Sequence, residues 1–475
     1  MKTIHKITFL LFALVPVLSC TKSLNKEPIS TLTENDFYKT TDDIETQVIG
    51  TYASLQEVYN DDYILAGLRS DDAYISEADG NINQIDGFSE IATNSYVGQY
   101  WQDLYFAIKQ ANTVLKYLPV VTDSAKMKRF EAEAKFIRAH MYFNLVRLWG
   151  NVPLITSVVD YNDLTPRTDS NLVYNQIIAD LQTAINQLPA IIADNTQAAR
   201  VTTYAAKAML AKVYLTRRNY PAARLLLQDL ISNPGPYQLL PTFPGIFGIN
   251  NEMNAEIIYA VRYKSNSNGL GETYTFNMSN VSGSPGFKAA SDLRGGSLFV
   301  AADSIRKNTT FVTSTNSSGS ISYFCGGKYL DNLAPKNDAG VDFIVLRYAD
   351  VIMMYAEVVN EMDGPTSVAL AQLNRIRQRA NPAATTLTYL PTASAVNTQA
   401  SFRTTIKAER RREFAEEDQR WYDLLRWGDA VTAMNTHFTS RGLSVVVQPY
   451  QVFYPIPQRE IDISNHVITQ NPGYR

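Results

Sequence analysis

The sequence predicts a mainly α-helical domain that is interrupted by one region of loops and short strands. Apolar residues recur at steps of three and four along most of residues 35–235 and 346–435, the pattern of helices with one buried face. Between residues 236 and 345 this periodicity stops, and Gly, Ser, Asn and Tyr become frequent beside short β-like runs such as Ile257–Tyr263. We therefore expect a helical scaffold, an insertion over 236–345 and a C-terminal coil over 436–475.

Single helices are predicted along the first half of the chain. Asp42 and Asp43 can cap a first helix that runs to about Tyr59. Residues 60–94 are rich in Asp, Gly and Asn, which indicates a long structured loop. Further helices are predicted at about 96–118, 124–149 and 170–188.

Three later segments have the pattern of paired helices. Residues 202–232 resemble a tetratricopeptide hairpin, because Leu210 and Ala211 hold packing positions of its first helix and Ala223 holds one of its second. Small alanines allow two helices to approach closely, and one such pair must stack on its neighbours to bury its apolar face. Two further pairs are predicted at 347–380, with a turn at Gly364–Pro365, and at 400–434.

The N-terminus has the pattern of a bacterial export signal. Basic residues precede an apolar run, Ile7–Leu18, and Ser19 is the small residue before Cys20. A membrane span needs ~18 apolar residues, more than this run offers. A cysteine directly after the cut resembles the lipoprotein signal, in which that cysteine is acylated. We therefore predict a signal peptide at 1–19, lipid attachment at Cys20 and a lipid-anchored linker at 20–34, with an ordinary secretion signal and a chance cysteine as the alternative.

Composition and motifs argue against several classes of function. The formal net charge is −3, without the basic face that a nucleic-acid-binding protein usually shows. If Cys20 is acylated, Cys325 has no partner for a disulfide. HExxH, GxSxG and P-loop motifs do not occur, and the few histidines are scattered. We therefore expect neither an enzyme nor a bound cofactor.

One near-match to a calcium loop lies in the polar segment 60–94. Asp79, Asn81, Asn83 and Glu90 fall at loop positions that supply ligands. Gln84 replaces the glycine of the sharp turn, and helical flanks are missing. A polar loop with chance spacing is the better interpretation, although these oxygens would suit calcium.

Three blocks of sequence together resemble the SusD/RagB family of Bacteroidota surface lipoproteins. The blocks are AEAKFIRAHMYFNLVRLWGNVPL at 132–154, ERRREFAEEDQRWYDLLRWG at 409–428 and YPIPQREIDISNHVITQNPGY at 454–474. Their order and spacing fit the family across nearly the whole mature chain. Two residues depart from the family pattern: Asp418 stands where glycine is frequent at a turn, and Glu416 replaces an apolar or aromatic residue.

The resemblance implies a fold and a function. It implies a single SusD-like domain over 35–475, an α/α superhelix, on a lipoprotein of the outer membrane that faces the cell surface. Such proteins resemble lids on SusC-like TonB-dependent transporters and deliver oligosaccharides, or in some members peptides, without chemistry. A peptide-binding member of the same family is one alternative. A periplasm-facing scaffold that uses its helical repeats for protein partners is another.

Tyrosine and phenylalanine are unusually frequent in this chain, and their positions suggest where a ligand binds. The chain has 28 Tyr and 20 Phe but only 4 Trp. Aromatic faces stack on sugar rings, while planar polar groups bind paired hydroxyls. Because family ligand sites lie where such loops meet, the predicted ligand residues are Arg69, Asp71, Asp72, Tyr74, Tyr274, Phe276, Phe287, Tyr323 and Phe324. Trp101 is predicted to pack inside a helix instead.

Three consecutive arginines, Arg410, Arg411 and Arg412, are predicted to be structural. At helical spacing they fan over more than half of the helix circumference, so they cannot all avoid the core. Buried guanidinium groups need carboxylate partners, which suggests that Arg411 or Arg412 pairs with Glu413 or Asp423. Ion pairs that clamp the last helices are a better interpretation than catalysis.

Overall fold

The structure, a computed structural model, describes most of the chain after the N-terminal segment. The described residues are 37–75, 80–159, 164–192, 199–266, 269–279, 286–294, 298–315, 317–331, 335, 337–383 and 394–474. The predicted signal peptide, Cys20, the linker at 20–34 and Asp79 lie outside them. Within them, every helix is too short or too polar to cross a bilayer.

The fold is mainly α-helical, as the sequence predicts. The helices of the first half lie at Thr41–Asp62 (α1), Gly80–Asp86 (α2), Ser95–Tyr117 (α3), Ser124–Trp149 (α4), Ser170–Gln187 (α5), Thr203–Thr216 (α6) and Tyr220–Ser232 (α7). All the helices predicted here are confirmed, and α2 is an addition inside the predicted loop. Thr40 and Asp43, the second of the predicted aspartates, form a capping box at α1: the Thr40 hydroxyl accepts from the Asp43 amide, and Asp43 Oδ2 accepts from the Thr40 amide at 2.8 Å.

Helix α4 lies at the centre of the first half and packs against α3 and α5. It is buried on nearly every side after Phe130, and its buried residues include charged ones such as Glu133 and Arg138. Trp149 ends it, with the indole N–H donating to the Pro455 carbonyl at 3.0 Å. Trp101 packs edge-on against Trp149 with ring centroids 5.2 Å apart, so its predicted packing role is confirmed.

The described part of the second half adds six helices. They lie at Tyr348–Asp363 (α11), Ser367–Ala380 (α12), Gln399–Phe414 (α13), Arg420–Trp427 (α14), Ala430–Ser440 (α15) and Gln458–Ile463 (α16), the numbers α8–α10 belonging to the insertion. The pair α11–α12 is confirmed, with Gly364 at φ +81° in its turn. The third predicted pair is instead three helices, and α15 and α16 extend into the region predicted as coil.

Short strands and short helices build the insertion. Its helices lie at Tyr274–Ser279 (α8), Ser291–Arg294 (α9) and Ser304–Thr310 (α10). The strands of the described chain lie at Ala73–Tyr74 (β1), Val152–Pro153 (β2), Arg167–Thr168 (β3), Ile257–Val261 (β4), Lys288–Ala289 (β5), Val312–Thr315 (β6), Ile321–Phe324 (β7) and Phe343–Arg347 (β8). The predicted mixture of loops and short strands is confirmed.

Antiparallel pairing ties the insertion to the scaffold. Strands β4 and β8 pair with each other, and β8 leads directly into α11. A four-stranded sheet has the order β1-β5-β7-β6, so the segment that follows α1 forms its edge. This sheet therefore fixes the polar segment after α1 against the insertion.

A buried network of ion pairs joins the insertion to α12 and α13. The Glu413 carboxylate accepts from Arg347 Nη1 at 2.7 Å, from Arg306 Nη1 at 3.1 Å and from Arg379. These side chains are buried. Burial by itself would raise the pKa of Glu413, but the three guanidinium groups outweigh it and lower the pKa to about 2. The network thus holds Glu413 ionised inside the protein.

The arginines of α13 are structural, as predicted, but their partners differ. Asp423 pairs with Arg410 at 2.8 Å, and Arg411 pairs with Asp72 at 2.7 Å. The predicted pairing of Arg411 or Arg412 with Asp423 is therefore wrong. Neighbouring residues of a helix point in directions about 100° apart, so each arginine meets a different element.

The turn after α13 carries two buried acids with left-handed backbone. Glu416 has φ +66° and Asp418 has φ +54°, so the turn forms without the glycine frequent in the family. Burial, together with the charge of Asp72, raises the pKa of Glu416 to about 8. Burial also raises the pKa of Asp418 well above its usual value. Glu416 therefore holds its proton at neutral pH, and burial favours the neutral form of Asp418 as well.

Candidate functional site

The segment between α1 and α3 is folded, not a continuous loop. Helix α1 passes into a π-helical turn, Tyr63–Leu68, and α2 forms further on. Between them, β1 carries Tyr74 at the edge of the four-stranded sheet. The predicted loop is thus limited to short connections, and this decides which of its polar residues reach the surface.

Arg69 is a core residue, so its prediction as a ligand residue is corrected. Its side chain is fully buried and makes two 2.8 Å contacts with the Glu90 carboxylate. The guanidinium lies 3.9 Å from the ring centroid of Phe88 and 4.3 Å from that of Tyr454. Arg69 therefore stabilises the core, where a buried charge requires such partners.

Asp71 and Asp72 are buried too, and both bind arginines of the last helices. Arg420 donates to the two Asp71 oxygens at 2.7 and 2.9 Å, and Arg411 donates to Asp72 at 2.7 Å. Burial favours the neutral form of Asp71, but Arg411 and Arg420 outweigh it and lower its pKa below the usual range. For Asp72 burial prevails, and its pKa is raised to about 6. These predicted ligand residues instead fix the base of β1.

Tyr74 is half-buried and remains a candidate ligand residue. The Arg441 guanidinium lies 4.4 Å from the centroid of its ring and donates to both Asp86 oxygens at 3.1 and 3.2 Å. His437 lies beside Arg441, and burial with that positive charge lowers its pKa to about 4. His437 is therefore neutral at pH 7, and its ring nitrogen accepts from Arg441 at 3.4 Å.

Two residues of the insertion complete this surface. Lys288 pairs across the sheet with Tyr74, so both side chains project from the same face. Asp292 is 44% exposed and contacts Arg411 at 2.5 Å. We name the group the Tyr74 surface, and its members are Tyr74, Asp86, Lys288, Asp292 and Arg441, of which Asp86 is buried and serves as the ion-pair partner of Arg441.

Four of the aromatic residues predicted in the insertion are buried. The exposed fractions are 0% for Tyr274, 2% for Phe276, 3% for Phe287 and 6% for Phe324. The Tyr274 hydroxyl donates to the Val341 carbonyl inside the core. Their prediction as ligand residues is corrected: they pack inside the insertion together with its other large apolar side chains, because burial removes their apolar surface from water.

Tyr323 is half-buried but lies on the other face of the sheet from Tyr74. Phe324 pairs with Lys288, which places it in the row of Tyr74, and adjacent residues of a strand alternate between faces. The Tyr323 ring packs against a separate apolar cluster, and Lys307 Nζ lies 4.7 Å from its centroid. Tyr74 and Tyr323 therefore do not form one platform.

The candidate calcium ligands that the structure describes have other roles. Asn81 and Asn83 lie in α2, and the Glu90 carboxylate is bound to Arg69 and to the Tyr474 hydroxyl at 2.9 Å. Across the described ranges, the acidic, histidine and cysteine side chains form no group of three able to hold a metal.

Sequence reasoning missed Arg441, Asp86, Lys288 and Asp292. Arg441 and Asp86 are 355 residues apart, and no periodicity or spacing links them. Tyr74 was predicted because polar residues are frequent around it in the sequence. Its neighbours in space, by contrast, follow only from the pairing of the strands.

Two family models match the chain. A SusD family model matches residues 309–474, and a model described as starch-binding and associating with the outer membrane matches residues 24–215. SusD-like protein P2 of Formosa agariphila is 29% identical, over 99% of both chains.

Solved structures share the fold. A laminarin-binding SusD-like protein is 27% identical, with a TM-score of 0.77 over 92% of this chain and 100% of that one. Surface glycan-binding protein A of Bacteroides thetaiotaomicron, in complex with laminarihexaose, is 21% identical with a TM-score of 0.75 over 91% and 99%. The second likeness concerns the fold alone.

Proposed function

Because the chain belongs to the SusD/RagB family, we propose that it binds an oligosaccharide on the Tyr74 surface and delivers it to a SusC-like TonB-dependent transporter. In this proposal the protein is a non-catalytic lipoprotein of the outer membrane, anchored through Cys20 and facing outward. The name of the laminarin-binding relative supports a carbohydrate, and the outer-membrane description of the second family model supports the location.

One observation carries the proposal: a partly exposed tyrosine ring lies beside planar charged groups on a single surface. A sugar ring offers apolar C–H faces, which suit the Tyr74 ring. Its paired hydroxyls suit the Arg441 guanidinium and the Asp292 carboxylate, which donate and accept respectively. The surface therefore has both kinds of contact that an oligosaccharide needs.

The scaffold holds this surface in place before any ligand arrives. Asp71 and Asp72 fix β1 to α13 and α14 through Arg411 and Arg420, and the Ala290 amide donates to the Asp72 carbonyl at 2.8 Å. A ligand that meets a fixed surface loses less free energy in ordering it. The buried residues that the sequence predicted as contacts thus have a positioning role.

The Tyr74→Ala variant tests the site. We expect its dissociation constant for the bound oligosaccharide to rise about tenfold or more, because the stacking face is lost. Calorimetry with laminarihexaose and a panel of plant and microbial oligosaccharides would measure this. Its unfolding free energy is expected to change by less than about 0.5 kcal/mol, as for a surface substitution.

Tyr323→Ala is the matched control for this test. Tyr323 is also half-buried, lies in the same sheet and contacts a cation, but it projects from the other face. Its oligosaccharide affinity should equal that of the wild type. Unchanged affinity in Tyr74→Ala would contradict the site, and binding of peptide pools instead of glycans would identify the peptide-binding alternative.

Lipid attachment has its own test. Cys20→Ala should move the protein from the membrane fraction to the soluble fraction, because acyl chains supply the membrane affinity. Retention in the membrane fraction would contradict acylation. Protease treatment of intact cells would separate an outward-facing protein from the periplasm-facing scaffold, which would stay protected.

A further inference from the structure

A cleft of about 380 Å³ opens between the C-terminal end of α4, the start of α5 and the turn from α14 to α15. The segment Val452–Phe453 closes one side. The cleft shares no residue with the Tyr74 surface. Its volume lies in the range of small-molecule sites, which reaches about 1,000 Å³.

The wall of the cleft is mostly apolar and aromatic. Val431, Val452 and the ring of Phe453 line it, and Phe453 is 37% exposed. Tyr174 and Tyr422 add further rings. Among the described residues of the wall, none is Asp, Glu, Asn or Gln, the side chains whose planar groups bind sugar hydroxyls. The wall therefore fits an apolar body better than a sugar.

Arg147 gives this apolar wall a positive charge that makes no direct salt bridge within the described chain. Its guanidinium lies 3.9 Å from the Phe143 ring centroid and 3.5 Å from that of Tyr422. Nε donates to the Phe143 carbonyl and Nη2 to Asn144 Oδ1, while Nη1 has no hydrogen bond within the described chain. No described carboxylate lies within 4 Å of Arg147, although Asp62 is near enough to interact with its charge.

The other arginine of the wall, Arg426, differs from Arg147 because it makes direct ion pairs. Arg426 donates to Glu357 at 2.8 Å and to Asp423 at 2.8 Å, so its charge is already neutralised. A carboxylate ligand would give Arg147 the same kind of partner, since guanidinium and carboxylate groups match in geometry.

Helix α15 begins at the edge of the cleft. Ala430 and Val431, in its first turn, line the cleft. Asp429 does not cap the helix, because its carboxylate binds Lys407 at 2.5 Å. The N-terminus of α15 therefore has no side-chain cap, and the charge of the Asp429 carboxylate at this end is shared with Lys407.

We propose that this cleft binds a carboxylate that carries an apolar or aromatic body. The carboxylate would contact Arg147, and the body would pack against Val452 and Phe453. The same chemistry occurs in a free aryl-alkanoic acid and in the C-terminal residue of an aromatic peptide. This proposal is independent of the oligosaccharide site.

Titration with 3-phenylpropionate tests the proposal, and 3-phenylpropanamide is the neutral match. Ligand-observed NMR on the full mature chain should give a dissociation constant on the order of 1 mM for the acid and a value about tenfold weaker for the amide. N-acetyl-alanyl-phenylalanine forms the peptide arm: tighter binding than the free acid identifies a peptide terminus as the source, and weaker binding identifies a small acid.

Two variants locate the site. Arg147→Met should bring acid affinity down about tenfold to that of the amide, and Val431→Asp should weaken it similarly by placing a negative charge in the cleft. Arg217→Met is the matched control, because Arg217 also lies near a ring, 4.8 Å from Tyr174, but is not part of the wall. Thermal melting would confirm that the variants fold, and laminarihexaose affinity should not change in any of them.

Three outcomes would overturn the proposal. They are equal affinity for acid and amide, full acid affinity in a folded Val431→Asp or Arg147→Met variant, and loss of oligosaccharide binding in Val431→Asp. Loss of oligosaccharide binding in Val431→Asp would show that the cleft binds sugar. The Tyr74→Ala variant tests the oligosaccharide site on the Tyr74 surface and is measured independently of the cleft.

Discussion

The helical scaffold and the junction between the insertion and α13 are held together by different forces. Within the scaffold, α6 presents buried alanines such as Ala211 to its neighbours, and α4 and α5 are joined by apolar packing together with one buried ion pair, Arg138 with Asp180. At the junction, buried carboxylates such as Glu413 meet buried guanidinium groups such as that of Arg347. The scaffold is therefore packed mainly through apolar contacts with a few ion pairs, whereas the junction is built mainly from ion pairs.

The two kinds of contact differ in how strictly they fix the relative orientation of the elements that they join. Apolar contacts are non-directional and tolerate small shifts, so they assemble a stack of helices from pattern alone. A carboxylate with several guanidinium partners requires specific positions of every donor. The ionic junction therefore fixes how the insertion sits on the scaffold, and with it the strands that present the Tyr74 surface.

The largest effect is expected at the ionic junction itself. Glu413→Gln would leave the guanidinium groups of Arg347, Arg306 and Arg379 without their shared negative charge. Removal of one partner from a buried ion pair costs about 3–5 kcal/mol. Urea denaturation should show a loss of unfolding free energy of that size. A loss below about 1 kcal/mol would show that the junction does not depend on these ion pairs.

A second effect concerns the buried acids after α13. Burial raises the pKa of Glu416 to about 8, so between pH 4.5 and 8 the folded protein keeps a proton that the unfolded chain releases. Stability from this group is complete below pH 4.5 and is lost as pH rises toward 8, by up to about 1.4 kcal/mol per pH unit. Glu416→Gln removes this contribution, so its unfolding free energy should fall less steeply with pH.

Unfolding free energies at pH 5, 6, 7 and 8 would measure the two slopes. Other buried acids, such as Glu272 with its pKa raised to about 8, affect both proteins alike. Equal slopes in the wild type and Glu416→Gln would show that Glu416 ionises normally in the folded state.

The smallest effect is expected at an exposed ion pair of the scaffold. Arg403 donates to both Glu361 oxygens at 2.7 Å, but its side chain is 39% exposed. Exposed ion pairs contribute about 0–1 kcal/mol, because water competes for both charges. Glu361→Gln should therefore change urea stability by less than 1 kcal/mol, which makes it the matched control for Glu413→Gln. A loss equal to that of Glu413→Gln would erase the distinction between the two regions.

The helices could be predicted because their signal is local. The step of three and four in residues 124–149 marks α4 to the residue, and Gly364–Pro365 marks the turn after α11. The exposure of residues in the polar segment 60–94 could not be predicted, because it depends on distant parts of the chain. Asp71 and Tyr74 are three residues apart and looked alike as surface residues, yet arginines 340 or more residues away bury the first and leave the second half-exposed.

By itself, the sequence determined the helical scaffold, the position of the insertion and the family resemblance, because apolar periodicity and local turn residues act over a few neighbouring positions. Only the tertiary structure decided which charges are buried and which reach the surface. Glu413, Arg69 and Arg441 have partners from distant parts of the chain, and the free energy of a charge depends on what surrounds it.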